Sequence, residues 1–234
     1  MALPFFYAEE LTIDTKQCVL SEETSKHVIQ VLRMKIGEQL QLTDGKGNLF
    51  TASITDDNRK RCQVKIDNVK HQPSSVKQIA IAISLVKNNT RFEWFLEKAT
   101  EIGVSEIIPL ICERTEKQSF RHDRMKGILV SAMLQSQQCW LPNLHEATKF
   151  TELIKKSAHQ QKLIAHCEKD SKQSINQYIN KSTSQLICIG PEGDFSKEEI
   201  ALALGNNFIP VALGDTRLRT ETAGIVAAAL LCVG

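Results

Sequence analysis

The sequence predicts an α/β protein in which a small β-rich region precedes a larger, mainly parallel sheet flanked by helices. Three observations carry this reading. Residues 1–72 hold short alternating strands separated by turn residues. From residue 76 onward, apolar runs alternate with amphipathic stretches, as expected for strands buried on both faces and joined by crossover helices. Near the end of the chain, two such runs lead into glycine-bearing turns: Gly190-Pro191-Glu192-Gly193-Asp194-Phe195-Ser196 and Leu213-Gly214-Asp215-Thr216-Arg217-Leu218-Arg219-Thr220-Glu221-Thr222-Ala223.

In the first region, residues 39–43 (QLQLT) alternate, and Asp44-Gly45-Lys46-Gly47-Asn48 has hairpin chemistry. Residues 49–54 return, Asp56-Asp57-Asn58 turns again, and residues 62–66 form the next strand. Strands at this spacing predict a small barrel or curled sheet. One short helix interrupts them, with Ser21 as N-cap, Glu23 and Thr24 in its first turn, and His27, Val28, Val31 and Leu32 on one face.

His71-Gln72-Pro73-Ser74-Ser75 reads as the linker, so the domains are expected at 1–72 and 76–234. Residues 79–86 make a continuous apolar strand. Residues 92–103 make a helix with Phe92, Phe95, Leu96, Ala99 and Ile102 on one face and Gly103 as its C-cap. Strands follow at 107–111, 162–166, 186–189 and 208–212. Helices are expected at 125–138 and at 223–231, the latter rich in alanine. The two glycine turns then fall at the carboxyl ends of what read as adjacent parallel strands, where open α/β sheets bind ligands.

A net charge of +2 is too small to argue for nucleic acid by itself. Local basic clusters stand out at Arg59-Lys60-Arg61 and at Arg114, Lys117, Arg121, Arg124 and Lys126; each is a solvated loop or a contact surface. The seven cysteines are scattered singly without a CxxC pair, which disfavours zinc and thioredoxin-type chemistry and fits a reducing cytoplasm. The first residues lack a basic segment and a long apolar stretch, so no secretory signal is expected.

The glycine turns do not fit nucleotide-phosphate binding. There is no GxxxxGK[ST] and no GxGxxG after the first strand, and Glu192 places a carboxylate where a phosphate would bring negative charge. Glu192 and Asp194 suit a ligand with a cationic or neutral centre. In the second turn, Thr220 caps the following helix and Glu221 favours its positive end, but capping does not account for two arginines, Arg217 and Arg219. An arginine there serves an RNA phosphate or an anionic base. The histidines show no HxxxH or HExxH spacing, no metal site is expected, and His166 reads as a satisfied residue at a strand end. The amides of residues 135–138 either meet a base edge or simply end a helix.

These residues resemble the trefoil-knot (SPOUT) methyltransferases of the RsmE type, which methylate uridine N3 in small-subunit ribosomal RNA. His27 with Val31-Leu32-Arg33, Gly37 and Asp44-Gly45-Lys46-Gly47 is similar to the family's PUA-like RNA-binding domain. Glu97-Lys98-Ala99-Thr100-Glu101-Ile102-Gly103-Val104, Ile107-Ile108-Pro109-Leu110 and Glu113-Arg114-Thr115 are similar to its first knot-domain helix and next strand. Gly190-Pro191-Glu192-Gly193, Leu213-Gly214 and Leu218-Arg219-Thr220-Glu221-Thr222-Ala223 match its cofactor loops. This chain departs from the pattern at Asp194, where a small glycine is usual, and at Pro4, Gln138 and Thr216, where arginines are usual.

The resemblance implies a PUA-like β-barrel domain followed by a SPOUT domain with a deep C-terminal knot. It implies S-adenosyl-L-methionine as cofactor, 16S rRNA of the small subunit as substrate, and a homodimer in the cytoplasm. Cofactor contacts are expected at Leu163, Ile164, Gly190, Glu192, Gly193, Leu213, Gly214, Leu218, Thr222 and Ala223. RNA contacts are expected at Arg33, Arg114, Gln138 and Arg217. Arg219 is expected to stabilise negative charge on the base, while Glu221 either accepts the N3 proton or holds Arg219. The competing readings are a non-catalytic RNA-binding or ribosome-assembly protein and a methyltransferase of this fold acting on another RNA atom, such as a ribose 2′-hydroxyl.

Overall fold

A computed structural model describes residues 3–116, 119–168, 172–180 and 182–234. Met1, Ala2 and Lys117 lie outside the described residues. The chain forms two compact units: residues 1–74 with 133–141, and residues 75–132 with 142–234.

The first unit contains β1 (Phe5–Tyr7), β2 (Gln17–Val19), β3 (Gln39–Thr43), β4 (Asn48–Asp56) and β5 (Gln63–His71), in the sheet order β1-β3-β4-β5-β2. β1 runs parallel to β3 and the other pairs are antiparallel. Register shifts at Thr51/Ala52 and Ile54/Asp56 mark bulges, which bend a sheet around its core. Alternate residues (Leu40, Leu42, Phe50, Ala52, Ile54, Val64) fill that core. Segment 139–141 closes one end: the Trp140 indole N–H donates to the Gln72 carbonyl at 2.9 Å and Leu141 N–H to Gly45 at 2.9 Å.

Ser21 caps α1 (Glu22–Lys26) as expected, accepting from Thr24 N–H. The expected helical face does not form. The helix widens into a π-turn over His27–Val31 in which only Val28 is buried, leaving His27, Val31 and Leu32 exposed. The wider turn rotates those side chains off the 3.6-residue stripe, and Arg33 then takes a left-handed φ of 58°.

The second unit is an eight-stranded parallel sheet. Its strands are β6 (Gln78–Ser84), β7 (Glu106–Ile111), β8 (Asn143–Leu144), β9 (Thr148–Lys149), β10 (Gln161–Ala165), β11 (Gln173–Ser174), β12 (Ser184–Ile189) and β13 (Ile209–Ala212). The order is β11-β13-β10-β12-β6-β7-β8, with β9 also on β7. The helices are α2 (Asn89–Ile102), α3 (His122–Gln135), α4 (Phe150–Lys156), α5 (Lys197–Gly205) and α6 (Thr220–Val233).

Ala80, Ala82, Ile164, Leu186 and Cys188 meet Phe150 and Ile154 of α4 and Ile200 and Ala203 of α5 on one face. Side chains alternate across a strand, so Ile79, Ile81 and Ile83 point to the opposite face, where Ile83 and Phe95 of α2 press on Gly224 of α6. Burial on both faces explains why these strands read as unbroken apolar runs.

Two helix boundaries and one strand adjacency differ from expectation in ways that bear on the site. α3 starts at His122 and stops at Gln135 rather than running to Gln138; Gln137 turns left-handed (φ 56°), and its N–H and that of Gln138 return to the Leu134 and Met133 carbonyls. α6 begins three residues early, at Thr220. β12 and β13 are not neighbours, because β10 lies between them. Gly103 ends α2 in the left-handed conformation expected of a C-cap.

Candidate functional site

A cavity of about 620 Å³ opens at the carboxyl ends of β10, β12 and β13, a size typical of sites for small molecules. The glycine turn after β12 and the turn after β13 form its walls. The insertion of β10 between those strands puts Ala165, His166, Cys167 and Lys172 between the turns, which sequence reasoning missed. Finding them requires the strand order, which periodicity does not encode. Leu163 and Ile164 do not line the cavity: both are fully buried inside β10, two and one residues short of its end.

Of the residues expected at the cofactor, Gly190, Glu192, Leu213, Gly214, Leu218 and Ala223 line the cavity, whereas Gly193 and Thr222 do not. Gly190 is needed for close approach, since a Cβ there would stand 3.1 Å from two ring carbons of the buried Phe195. Gly214 has φ +151° and open space where a Cβ would be, so its bare backbone edges the cavity.

Side chains from the neighbouring loops hold the first turn in place. Thr220 is not the helix cap. It is the first residue of α6, and its buried hydroxyl donates to the Gly190 carbonyl at 3.0 Å, while Arg219 occupies the cap position without a capping side-chain bond. Arg114, expected at RNA, donates to the Gly193 carbonyl at 2.8 Å and more weakly to Phe195 at 3.4 Å. Arg217 reaches the Glu192 carbonyl at 3.4 Å, and Lys87 N–H donates to the Glu192 carboxylate at 3.2 Å. Below the turn, Ser196 and Glu199 form a capping box at the start of α5, and Glu199 also accepts from Glu113 N–H at 2.9 Å.

Arg219 is exposed and lines the cavity; its carbonyl accepts from Ala223 N–H at 2.8 Å, but its side chain makes no hydrogen bond or ion pair among the described residues. Glu221 does not line the cavity. Its nearly buried carboxylate faces Arg91 of α2 at 3.7 Å rather than Arg219. Arg91 is a further residue that local sequence does not single out, because its partner lies 130 residues away in another helix. Arg33 and Gln138 belong to the first unit, and Arg114 and Arg217 to the second.

The cavity thus mixes cations (Lys172, Arg217, Arg219) with anions (Glu192, Asp194, Asp215) around an apolar wall of Ile189, Val211, Leu213 and Leu218. Such a lining suits a ligand carrying both signs of charge on an apolar body, and nothing in it builds a phosphate cradle.

Comparison with known proteins agrees. Residues 72–232 match the RNA methyltransferase domain family, and residues 20–67 match the RNA methyltransferase PUA domain. The structure of a probable rRNA-methyltransferase from Porphyromonas gingivalis superposes with a TM-score of 0.91 at 36% identity, covering 99% of this chain and 100% of that one. A ribosomal RNA small subunit methyltransferase E from Neisseria gonorrhoeae, bound to S-adenosyl methionine, superposes with a TM-score of 0.85 at 29% identity, covering 97% and 95%. The protein of that name from Rickettsia conorii is 27% identical over 94% of this chain and 90% of its own length. With its PUA-like first unit, its parallel α/β second unit and a family match over most of its length, the chain belongs to the RNA methyltransferase family.

Proposed function

We propose that the chain uses S-adenosyl-L-methionine to methylate N3 of a uridine in 16S rRNA of the small ribosomal subunit. The observation that carries this reading is the mixed-charge cavity formed by the two glycine turns and the end of β10, in a chain similar along its length to enzymes named for that RNA. Gly190, Glu192, Leu213, Gly214, Leu218 and Ala223 are the cavity residues that would hold the cofactor. When bound, the cofactor supplies an electrophilic methyl group on a sulfonium centre.

Uracil N3 carries a weakly acidic proton and lies on the Watson–Crick edge. The site must therefore receive an unpaired or flipped base and favour its N3 anion. Arg219, whose side chain has no partner among the described residues, would stabilise the charge that develops on the base. Glu221, which faces Arg91 and lies off the cavity, supports neither accepting the N3 proton nor holding the Arg219 side chain; it would instead fix the start of α6 and with it the Arg219 backbone. Thr220 and Arg114 would keep the first turn in shape and exclude water beneath it.

RNA contact by Arg33, Gln138 and Arg217 belongs to this reading. So does Arg114, whose guanidinium would meet RNA only with the donors left after its two loop carbonyls. Assembly as a homodimer is supported by α6, where Ile225, Val226 and Leu230 remain partly exposed on an otherwise apolar helix. Threading of the last elements as a trefoil knot and residence in the cytoplasm complete the proposal. Among the described residues, no helix is long and apolar enough to cross a membrane.

The test is calorimetric titration with S-adenosylmethionine, followed by incubation with unmethylated small subunits and mass analysis of the nucleosides. Cofactor binding with appearance of 3-methyluridine supports the proposal. A ribose-methylated product would move the activity to another atom, and cofactor binding without any RNA product would leave a binding protein.

A further inference from the structure

Asp194 lines the cavity in a left-handed conformation, φ 64°, that few residues other than glycine, asparagine and aspartate adopt readily. Its Oδ2 accepts the Cys167 backbone N–H at 2.8 Å, across 27 residues of sequence. Cys167 lies just beyond β10, the strand that separates the two glycine turns. Besides the α5 capping box at Ser196 and a bond within the turn, other bonds to the 190–196 turn come from elsewhere: Arg114 from the β7–α3 connection, Lys87 from the β6–α2 connection, and Arg217 and Thr220 from the β13–α6 side. Beyond the β10–β12 pairing, which ends at Ala165 and Ile189, the Asp194 carboxylate is thus a side-chain tie between that turn and the residues that follow β10.

We propose that Asp194 is a positioning residue for the cofactor, its carboxylate fixing the end of β10 against the β12 turn so that both walls of the cavity are set before ligand arrives. The inference rests on the reading of the cavity as the S-adenosylmethionine site. A charge-assisted bond to a backbone N–H is strong enough to hold a short loop, and a wall ordered in advance spares the ligand that cost. The left-handed backbone separates the tie from the fold. Glycine at 194 keeps the conformation and loses the tie, asparagine keeps the conformation and a neutral acceptor in the carboxylate's place, and alanine loses the tie and adds backbone strain.

The full chain and its Asp194→Asn, Asp194→Gly and Asp194→Ala variants are titrated with S-adenosylmethionine by calorimetry, with melting temperatures alongside. Hydrogen exchange of the Cys167 amide is followed in the absence of cofactor. The expected result is a Kd raised about tenfold in Asp194→Gly and Asp194→Ala, and within about twofold of the parent in Asp194→Asn. Cys167 protection is lost in the first two variants and kept in the third. Methyl transfer at saturating cofactor keeps its kcat while KM for cofactor rises.

Parent-like affinity in Asp194→Gly overturns the proposal, as does affinity in Asp194→Asn as weak as in Asp194→Gly. A fall in melting temperature that tracks the loss of affinity shows a structural role only and also overturns it. A parent protein that binds no cofactor overturns the reading of the cavity itself, and the amide exchange separates that failure from failure of the tie.

Discussion

The Thr220 hydroxyl donates to the Gly190 carbonyl across 3.0 Å in the protein interior, joining the first residue of α6 to the turn that ends β12. Removing the donor leaves a buried carbonyl without this partner. Thr220→Val is therefore expected to lower the unfolding free energy by about 1–3 kcal/mol, with Thr220→Ser losing much less. Urea unfolding of the two variants decides this, and equal midpoints would refute the bond's role. Cofactor affinity should fall in the valine variant alone.

The glycines of the first turn are not equivalent. A Cβ at Gly190 would lie 3.1–3.2 Å from the Phe195 ring and backbone, and that ring is buried against Phe150 at a centroid distance of 4.8 Å. At Gly193 a Cβ would meet only the aliphatic part of Arg114 at 3.4–3.5 Å, ordinary contact. Gly190→Ala should cost about 1–3 kcal/mol in stability and weaken cofactor binding. Gly193→Ala should stay within about 0.5 kcal/mol of the parent. The paired melting curves check the contrast.

Arg91 and Glu221 are expected to act as a unit. Arg91→Met and Glu221→Gln should each reduce kcat for methyl transfer by roughly ten- to a hundredfold with a smaller effect on cofactor Kd, and the double variant should be no worse than the poorer single one. Additive losses in kcat would show that the two residues work separately.

Glu106, at the start of β7, accepts from the rings of His159 (3.3 Å) and His145 (2.6 Å). The hydrogen bond with His159 is the largest influence holding its carboxyl below the ordinary value of 4.5; burial opposes it, and the charge of both histidines and the His145 bond assist. A carboxyl whose value falls on folding adds stability that is full above its unfolded value and is lost as the pH falls through the folded one. The parent should therefore lose stability from about pH 4.5 downward more steeply than Glu106→Gln. Denaturation midpoints at pH 3–6 test the slope, and parallel curves would exclude the mechanism.

Cys167 is an exposed thiol that lines the cavity, whereas Cys62, Cys112, Cys139 and Cys188 are buried. Burial pushes the Cys112 thiol up to about 12 and Cys188 well above its usual value, which leaves both unreactive. Iodoacetamide at pH 8 should label Cys167 first, and S-adenosylmethionine should slow that labelling. Peptide mass mapping with and without cofactor reads both effects.

Local chemistry was legible where one segment decides its own structure. Ser21 and Gly103 end their helices as the residue types require, and the apolar runs at 79–83 and 186–189 are strands buried on both faces. The positions of the two glycine turns could be read for the same reason. What could not be read depends on pairing across long separations. Whether β10 separates β12 from β13 is a matter of topology, and with it goes the role of His166 and Cys167. Residues 133–141 look like the end of a helix in sequence, but they belong to the first unit because Trp140 and Leu141 bond to Gln72 and Gly45. Thr220 looked like a cap because a threonine before an apolar helix usually is one. Its hydroxyl instead serves a carbonyl 30 residues away.

The interior position of β13 has a consequence for biosynthesis. This strand pairs with β10 on one side and β11 on the other, although it is made after both. A growing chain that has reached residue 208 presents β10 with one edge bare, the kind of edge to which other chains add strands. The cavity proposed to hold the cofactor lacks the whole β13 wall at that stage. Synthesis must therefore pass β13 before this cavity is walled, and until then the bare edge of β10 is a site for aggregation in the nascent chain.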